Sequence, residues 1–306
     1  MQNKVNQAVV FTKPVHHLGL PLTPEQLDGQ ARAFLTDKGF EMVLCRNVTG
    51  SELAERNVIR QHYLMYSKGS CIESADELGV SGEGKARFEQ AFGKSWDAEV
   101  AAGRIMGNPG LMETKDMGSD ELFKLWNARF STGKTEKIQE GLLMAWLDEL
   151  DCYCINAFYP ILEKIFYNPA TEMTYYVVEF DPEEVSWTRF RKKILGATDA
   201  SKADPESFRG QLYAAYGTAL EYPGRDNFVH GSAGPLEGLV ERTIHEPDFD
   251  MASNPVGRYL LGRGIDLETF THWKSNQSIL QLGELFDATE EKDTAEVFDI
   301  LDRVSF

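Results

Sequence analysis

Cysteine is scarce in this chain of 306 residues: Cys45, Cys71, Cys152 and Cys154 are the four, and no two stand as Cys-x-x-Cys. That pattern gives no disulfide framework and no structural zinc site, leaving ordinary reduced thiols. Positive charge is also in deficit, with 31 Lys and Arg against 48 Asp and Glu, a formal net charge of −17. A surface that grips a phosphate backbone needs clustered cations, so nucleic acid is excluded as a partner. No apolar run approaches the roughly 20 residues that span a bilayer, so no membrane partner is expected. The residues Met1-Gln2-Asn3-Lys4 lack the apolar core of a signal peptide, so a cytoplasmic location is expected. No internal repeat or low-complexity segment is apparent.

What is present reads as an α+β protein. Gln7 to Phe11 is strand-like; Thr23-Pro24-Glu25-Gln26 carries a cap, a first-turn proline and an early acid, which starts a helix running to about Asp37. Phe40 to Arg46 is β-rich, Thr49 to Tyr66 helical, Met173 to Phe180 a β-branched and aromatic run, and Asn227 to Val229 a short last strand. Pro182 to Leu195 reads as a helix with Trp187, Phe190 and Ile194 at core spacing. Its basic stretch Arg189, Arg191, Lys192 and Lys193, followed by Arg209, places local positive charge in an acidic whole. The acids Glu290-Glu291 beside Lys292 read as a solubilising surface.

The most informative string is His230-Gly231-Ser232, with Asn227 before it and Glu241 after it. The small Gly-Ser pair opens a helical run over 233–246, which puts the imidazole at or just before a helix N-terminus, where unpaired amides attract anions. If the chain turns back, Glu241 accepts a proton from one ring nitrogen and leaves the other as a nucleophilic lone pair.

Five ordered blocks resemble the nucleoside diphosphate kinase family. They are Ala8-Val9-Val10-Phe11-Thr12-Lys13-Pro14; Gly39 to Leu44 with the later pair His62-Tyr63; Ala157-Phe158-Tyr159-Pro160; Leu195-Gly196-Ala197-Thr198-Asp199 leading to Phe208-Arg209-Gly210; and Asn227 to Ser232 with Glu241. The resemblance implies a ferredoxin-like βαββαβ core with an antiparallel sheet, formed by residues 1–63 and 156–246. The chain departs from the family between Tyr63 and Ala157, where a long stretch needs structure of its own. We read 64–155 as a helical insertion, with Ser119 to Phe130 and Thr135 to Asp151 at helical period and Asn108-Pro109-Gly110 a turn. Thr132-Gly133-Lys134-Thr135 inside it is no P-loop, because Ala128 stands where the earlier glycine is required; it reads as a helix-start turn. Residues 247–306 form a helical C-terminal extension, with helices over Asn254–Leu261, Leu267–Trp273 and Ala295–Val304.

The implied activity is ping-pong transfer of the terminal phosphoryl of a nucleoside triphosphate to a nucleoside diphosphate through phosphohistidine at His230. By position in the blocks the catalytic set is His230, Glu241, Ser232 and Lys13. The implied nucleotide contacts are Lys13, Tyr63, Lys192, Thr198, Arg209 and Asn227, with Phe158 under the base. Stacking would make the pocket broad in base choice. Magnesium would be held by the nucleotide phosphates, with no dedicated protein cage. A homo-oligomer is expected. Three departures bear on this: Lys192 replaces an arginine and loses its bidentate fork, Ala233 replaces an aspartate, and the loop with Tyr222-Pro223-Gly224-Arg225 is longer. The longer loop and the insertion argue against the family's hexamer. Two other functions stay open: a catalytically weak nucleotide-binding regulator or scaffold of the same fold, and a phosphohistidine relay to a protein partner.

Overall fold

A computed structural model describes residues 5–277 and 279–306, and the protein is of mixed α+β class. Among the described residues the strands are β1 (Asn6–Thr12), β2 (Glu41–Thr49), β3 (Ile105–Met106), β4 (Glu136–Gln139), β5 (Leu142–Leu147), β6 (Cys152–Ile155), β7 (Glu172–Phe180) and β8 (Val229–Gly231). The chain divides into two compact units. The first holds residues 1–56, 167–276 and 285–306, and the second residues 57–166 and 277–284.

The first unit is built on an antiparallel sheet in the order β2-β7-β1-β8. Strand β1 is buried along its whole length. Its Ala8 and Val10 join Tyr176 and Val178 of β7 in one core cluster, while Phe11 meets His245 of the helix Pro235–His245. A strand covered on both faces reads as a continuous apolar run, which is why Ala8 to Phe11 does not alternate. The helix Pro24–Asp37 crosses from β1 to β2 and is fixed by a capping box in which Thr23 and Gln26 exchange hydrogen bonds.

Residues 182–185 form a turn, so the helix expected from Pro182 begins only at Trp187. It continues as a π-helical turn over Phe190–Leu195, a geometry that recurs at functional sites. Trp187 and Phe190 are fully buried there, and the Trp187 indole N–H donates to the carbonyl of Ser232 at 3.3 Å. Trp187→Ala is expected to cost about 3–5 kcal/mol, read as a lowered urea midpoint with an unchanged slope.

In the second unit the expected helical insertion is corrected: it contains a four-stranded sheet in the order β3-β6-β5-β4, parallel between β3 and β6 and antiparallel elsewhere. Thr135 to Asp151 is therefore two strands with turns at 140–141 and 148–151, not helix. Leu142 to Leu147 is a short apolar run that periodicity alone cannot assign. Gly141 at φ 72° turns the chain back from β4, and pairing with Cys152–Ile155 completes a buried strand. Asn108-Pro109-Gly110 is also corrected, from a turn to the start of the helix Asn108–Lys115. Thr132 ends a helix instead of starting one, its hydroxyl donating to the carbonyls of Ala128 and Arg129. The run Thr49 to Tyr66 breaks into short helices at Asn57, which adopts φ 50°.

The C-terminal extension forms the helices Pro255–Gly262, Leu267–Asn276 and Thr294–Leu301 and a further one, Ile279–Thr289. Val256, Leu260, Phe270, Val297 and Leu301 pack with Leu236 and Leu239 of the helix Pro235–His245, so much of the extension shares a core with the first unit. No helix among the described residues is long and apolar enough to cross a membrane.

Candidate active site

His230 lies on β8, paired with Phe11 of β1, and the helix after it begins only at Pro235. The expectation of an imidazole at a helix N-terminus is corrected accordingly. The strand fixes the residue's backbone, and the Phe11 ring stacks on the imidazole with centroids 4.5 Å apart and planes at 17°. Phe190 and Leu195 close over Gly231 and leave no room for a side chain there. The helix Pro235–His245 returns along the sheet and brings Glu241 to the ring. Glu241 Oε1 is 2.6 Å from His230 Nε2, and Glu241 Oε2 accepts the Ser232 hydroxyl at 2.6 Å. Ser232 is fixed in turn by main-chain bonds to Val9, whose N–H donates to its hydroxyl at 2.9 Å and whose carbonyl accepts its N–H at 3.0 Å.

A carboxylate beside a histidine would favour imidazolium, but here burial outweighs it. Burial, with the charges of Lys13, Arg209 and Arg191, holds the His230 pKa well below its usual value, so the ring is neutral at pH 7. With Nε2–H donated to Glu241, the neutral tautomer has its lone pair on Nδ1. Glu237, one helical turn before Glu241, accepts the Ala233 N–H. Burial and the Glu241 charge push its pKa up to about 8.

Lys13 follows β1, its N–H bonded to the Phe228 carbonyl at 2.7 Å and its ammonium to the Arg225 carbonyl at 3.2 Å. Burial first, then the charge of Arg209, lowers its pKa to about 7, with Asp226 opposing and Arg225 adding to the fall. Arg209 is buried on the helix Phe208–Tyr216. It donates to the carbonyls of Gly196 at 2.5 Å and Val229 at 2.7 Å, joining the 196 turn to β8. Asn227 donates through Nδ2 to the carbonyls of Thr198 at 2.7 Å and Gly224 at 3.1 Å. Its Oδ1 is buried without a hydrogen-bond partner.

Lys13, Thr198, Arg209, Asn227, His230, Ser232 and Glu241 thus fall in one unit, linked by short bonds around β1 and β8. Lys192 belongs to the same unit but is exposed and ion-paired with Glu291 at 2.7 Å. Tyr63 and Phe158 belong to the second unit. There the Tyr63 ring meets His62 edge-on at 4.6 Å, and Phe158 packs near Tyr66 at 5.4 Å and Trp126 at 5.9 Å.

Sequence reasoning missed the support around these groups. Asp226 is buried between Arg225, bonded through both oxygens at 2.7 and 2.6 Å, and His17 at 3.2 Å. Burial raises its pKa, but the bonds from His17 and Arg225 win and hold it below the ordinary carboxylate value. Glu237 was legible through its i, i+4 spacing from Glu241; the pairing of His17 with Asp226 had no local signal.

No family model and no curated protein matches the chain. Among solved structures it is similar to the nucleoside-diphosphate kinase of Borrelia burgdorferi, solved as a transition state mimic with vanadate and ADP. That match has 15% identity over 80% of this chain and 89% of that chain, with a TM-score of 0.33. It is also similar to an NDP kinase from Pyrobaculum aerophilum, at 14% identity over 80% of this chain and 97% of that chain, with a TM-score of 0.39.

Proposed function

We propose that this protein is a nucleoside diphosphate kinase working through phosphohistidine at His230. The observation that carries the reading is the Ser232–Glu241–His230 chain, two bonds of 2.6 Å that orient a neutral imidazole. The strand order β2-β7-β1-β8 supports a ferredoxin-like βαββαβ core beneath it.

In the first half-reaction the Nδ1 lone pair attacks the γ-phosphorus of a nucleoside triphosphate. The P–N bond forms, the bond from phosphorus to the β–γ bridging oxygen breaks, and the nucleoside diphosphate leaves with that electron pair. In the second, a terminal oxygen of another nucleoside diphosphate attacks phosphorus, and the P–N electron pair returns to Nδ1. Glu241 holds the proton on Nε2 through its hydrogen bond and stabilises the positive charge that phosphorylation places on the ring. Lys13 and Arg209 supply charge to the equatorial oxygens, since phosphoryl transfer is mostly positioning and electrostatics. Thr198 and Asn227 flank this cradle. Magnesium fits as part of the substrate: Glu241 and Glu237 are both engaged in bonds within the protein, so phosphate oxygens and water would hold the ion. The reading keeps a cytoplasmic homo-oligomer acting on nucleoside di- and triphosphates.

The exposed Lys192–Glu291 pair favours a second reading, a nucleotide-binding regulator with weak transfer. Initial rates separate the two. Parallel double-reciprocal lines with NTP and NDP varied are expected for the kinase; measurable nucleotide binding without turnover would favour the regulator.

Lys13 gives the kinase a pH signature. In the free protein its ammonium is lost as pH rises through about 7, so kcat/KM for the triphosphate is expected to fall across that range. Bound phosphates favour the charged amine, so kcat holds to higher pH. The acid limb, where His230 becomes charged, lies well below pH 6.5. A kcat/KM flat from pH 7 to 9 would remove Lys13 from phosphate binding.

A further inference from the structure

Glu290 and Glu291 lie on a strap, residues 289–293, that meets the basic turn Phe190–Leu195 beside the His230 strand. The Arg191 guanidinium is ion-paired with Glu290 and stands 3.6 Å from Glu291 Oε1. Glu291 is held by its main chain, its N–H donating to the Ala233 carbonyl at 2.9 Å and its carbonyl accepting the Thr188 hydroxyl at 3.2 Å. Two residues on, the Asp293 carboxylate accepts the Trp187 N–H at 2.7 Å and the Asn6 amide at 2.6 Å. On the other side the Thr289 carbonyl approaches Gly234 so closely that a Cβ there would lie 2.5 Å away. The strap is therefore anchored to the turn bearing Arg191, to the residues after Ser232, and to the start of β1.

Lys13 and Arg209 are held by main-chain carbonyls of neighbouring loops and β8. Arg191, the third cation whose charge bears on His230, takes its anchorage from the strap. Its side chain is 24% exposed, and the turn it stands on packs against Gly231 through Phe190 and Leu195. The acidic pair meets the basic turn at two cations, Glu290 at Arg191 and Glu291 at Lys192, 2.7 Å away, with Arg191 beyond it.

We propose that Glu290 and Glu291 are positioning residues of the phosphoryl site, holding the Arg191 guanidinium beside the His230 strand so that its charge meets that of the transferring group. The proposal rests on the phosphohistidine reading above. The charged and titratable groups around His230 among the described residues of this unit include Lys13, Arg209, Arg191, Glu241 and Glu237; the strap acts on His230 through Arg191, and the Glu290 charge also adds to the rise of the Glu237 pKa.

The test uses the full chain with ATP and GDP as substrates. Arg191→Gln is expected to lower kcat/KM about ten- to a hundredfold, and Glu290→Gln/Glu291→Gln about tenfold, mainly in kcat. If the carboxylates act through Arg191, the triple variant is no worse than Arg191→Gln alone. Lys292→Gln, a charge change in the same strap, stays at the parent rate. The acid limb of kcat/KM separates positioning from simple charge removal. Deleting two anions lowers the pKa of a nearby imidazole, whereas losing a positioned guanidinium raises it; the proposal requires the limb of the double variant to move to higher pH. A faster double variant, a limb moved to lower pH, or losses that add in the triple variant would overturn it. Arg191→Lys keeps the charge but not the fork, and is expected to lose most of what Arg191→Gln loses, which tests the anchorage without altering the strap. If the parent chain takes up no phosphoryl group from ATP, the phosphohistidine reading itself fails; an active parent with unchanged variants overturns the strap inference alone.

Discussion

His230→Ala is expected to take up no phosphoryl group from ATP and to lose exchange by about 10⁴-fold or more, while still binding nucleotide. The imidazole supplies the one protein atom that bonds to phosphorus in the scheme, and the cationic groups that would meet the phosphates, Lys13 and Arg209, are fixed independently of it. Lys13 is bonded to the carbonyls of Phe228 and Arg225, and Arg209 to those of Gly196 and Val229. The variant should therefore separate binding from chemistry. Exchange by the purified variant at the parent rate would remove His230 from the mechanism.

Glu241→Gln is expected to cost about 10²–10⁴-fold in the rate of phosphoryl uptake, although the side chains are nearly isosteric. Glu241 now accepts from both sides, from His230 at 2.6 Å and from the Ser232 hydroxyl at 2.6 Å. An amide can continue to accept from Ser232 only by turning its NH₂ toward Nε2. That donor favours the tautomer with its proton on Nδ1, which removes the lone pair from the attacking nitrogen. The charge that stabilises the phosphorylated ring is lost as well. Single-turnover uptake of labelled phosphate reads the effect directly, and a rate within about threefold of the parent would show that Glu241 does not set the tautomer.

The parts of the fold legible in the sequence were those with strong local signals. Thr23 and Gln26 announce their capping box, the β-branched and aromatic run of β7 has little alternative to a strand, and Trp187, Phe190 and Ile194 mark a core face. The second sheet was not legible, because Leu142 to Leu147 is apolar throughout and its strand character comes from partners in β4 and β6. At the site, residues close in sequence to His230 or matched to the family blocks were nameable, including Lys13, Arg209 and Asn227. Long-range electrostatics were not. The pairing of Glu290 with Arg191 joins residues 99 apart in the sequence, and the burial that lowers Lys13 toward neutrality depends on the packed fold. Tyr63 and Phe158 matched family blocks, yet their surroundings are set by the second unit, through His62, Tyr66 and Trp126.

The most direct measurement is the intact mass of the protein after brief exposure to ATP and magnesium, alongside His230→Ala, followed by a chase with GDP. The expected result is a gain of one phosphoryl group in the parent, none in the variant, and its discharge as GTP. No gain by the parent at nucleotide concentrations where binding is measured, or an equal gain by His230→Ala, would contradict a phosphohistidine kinase.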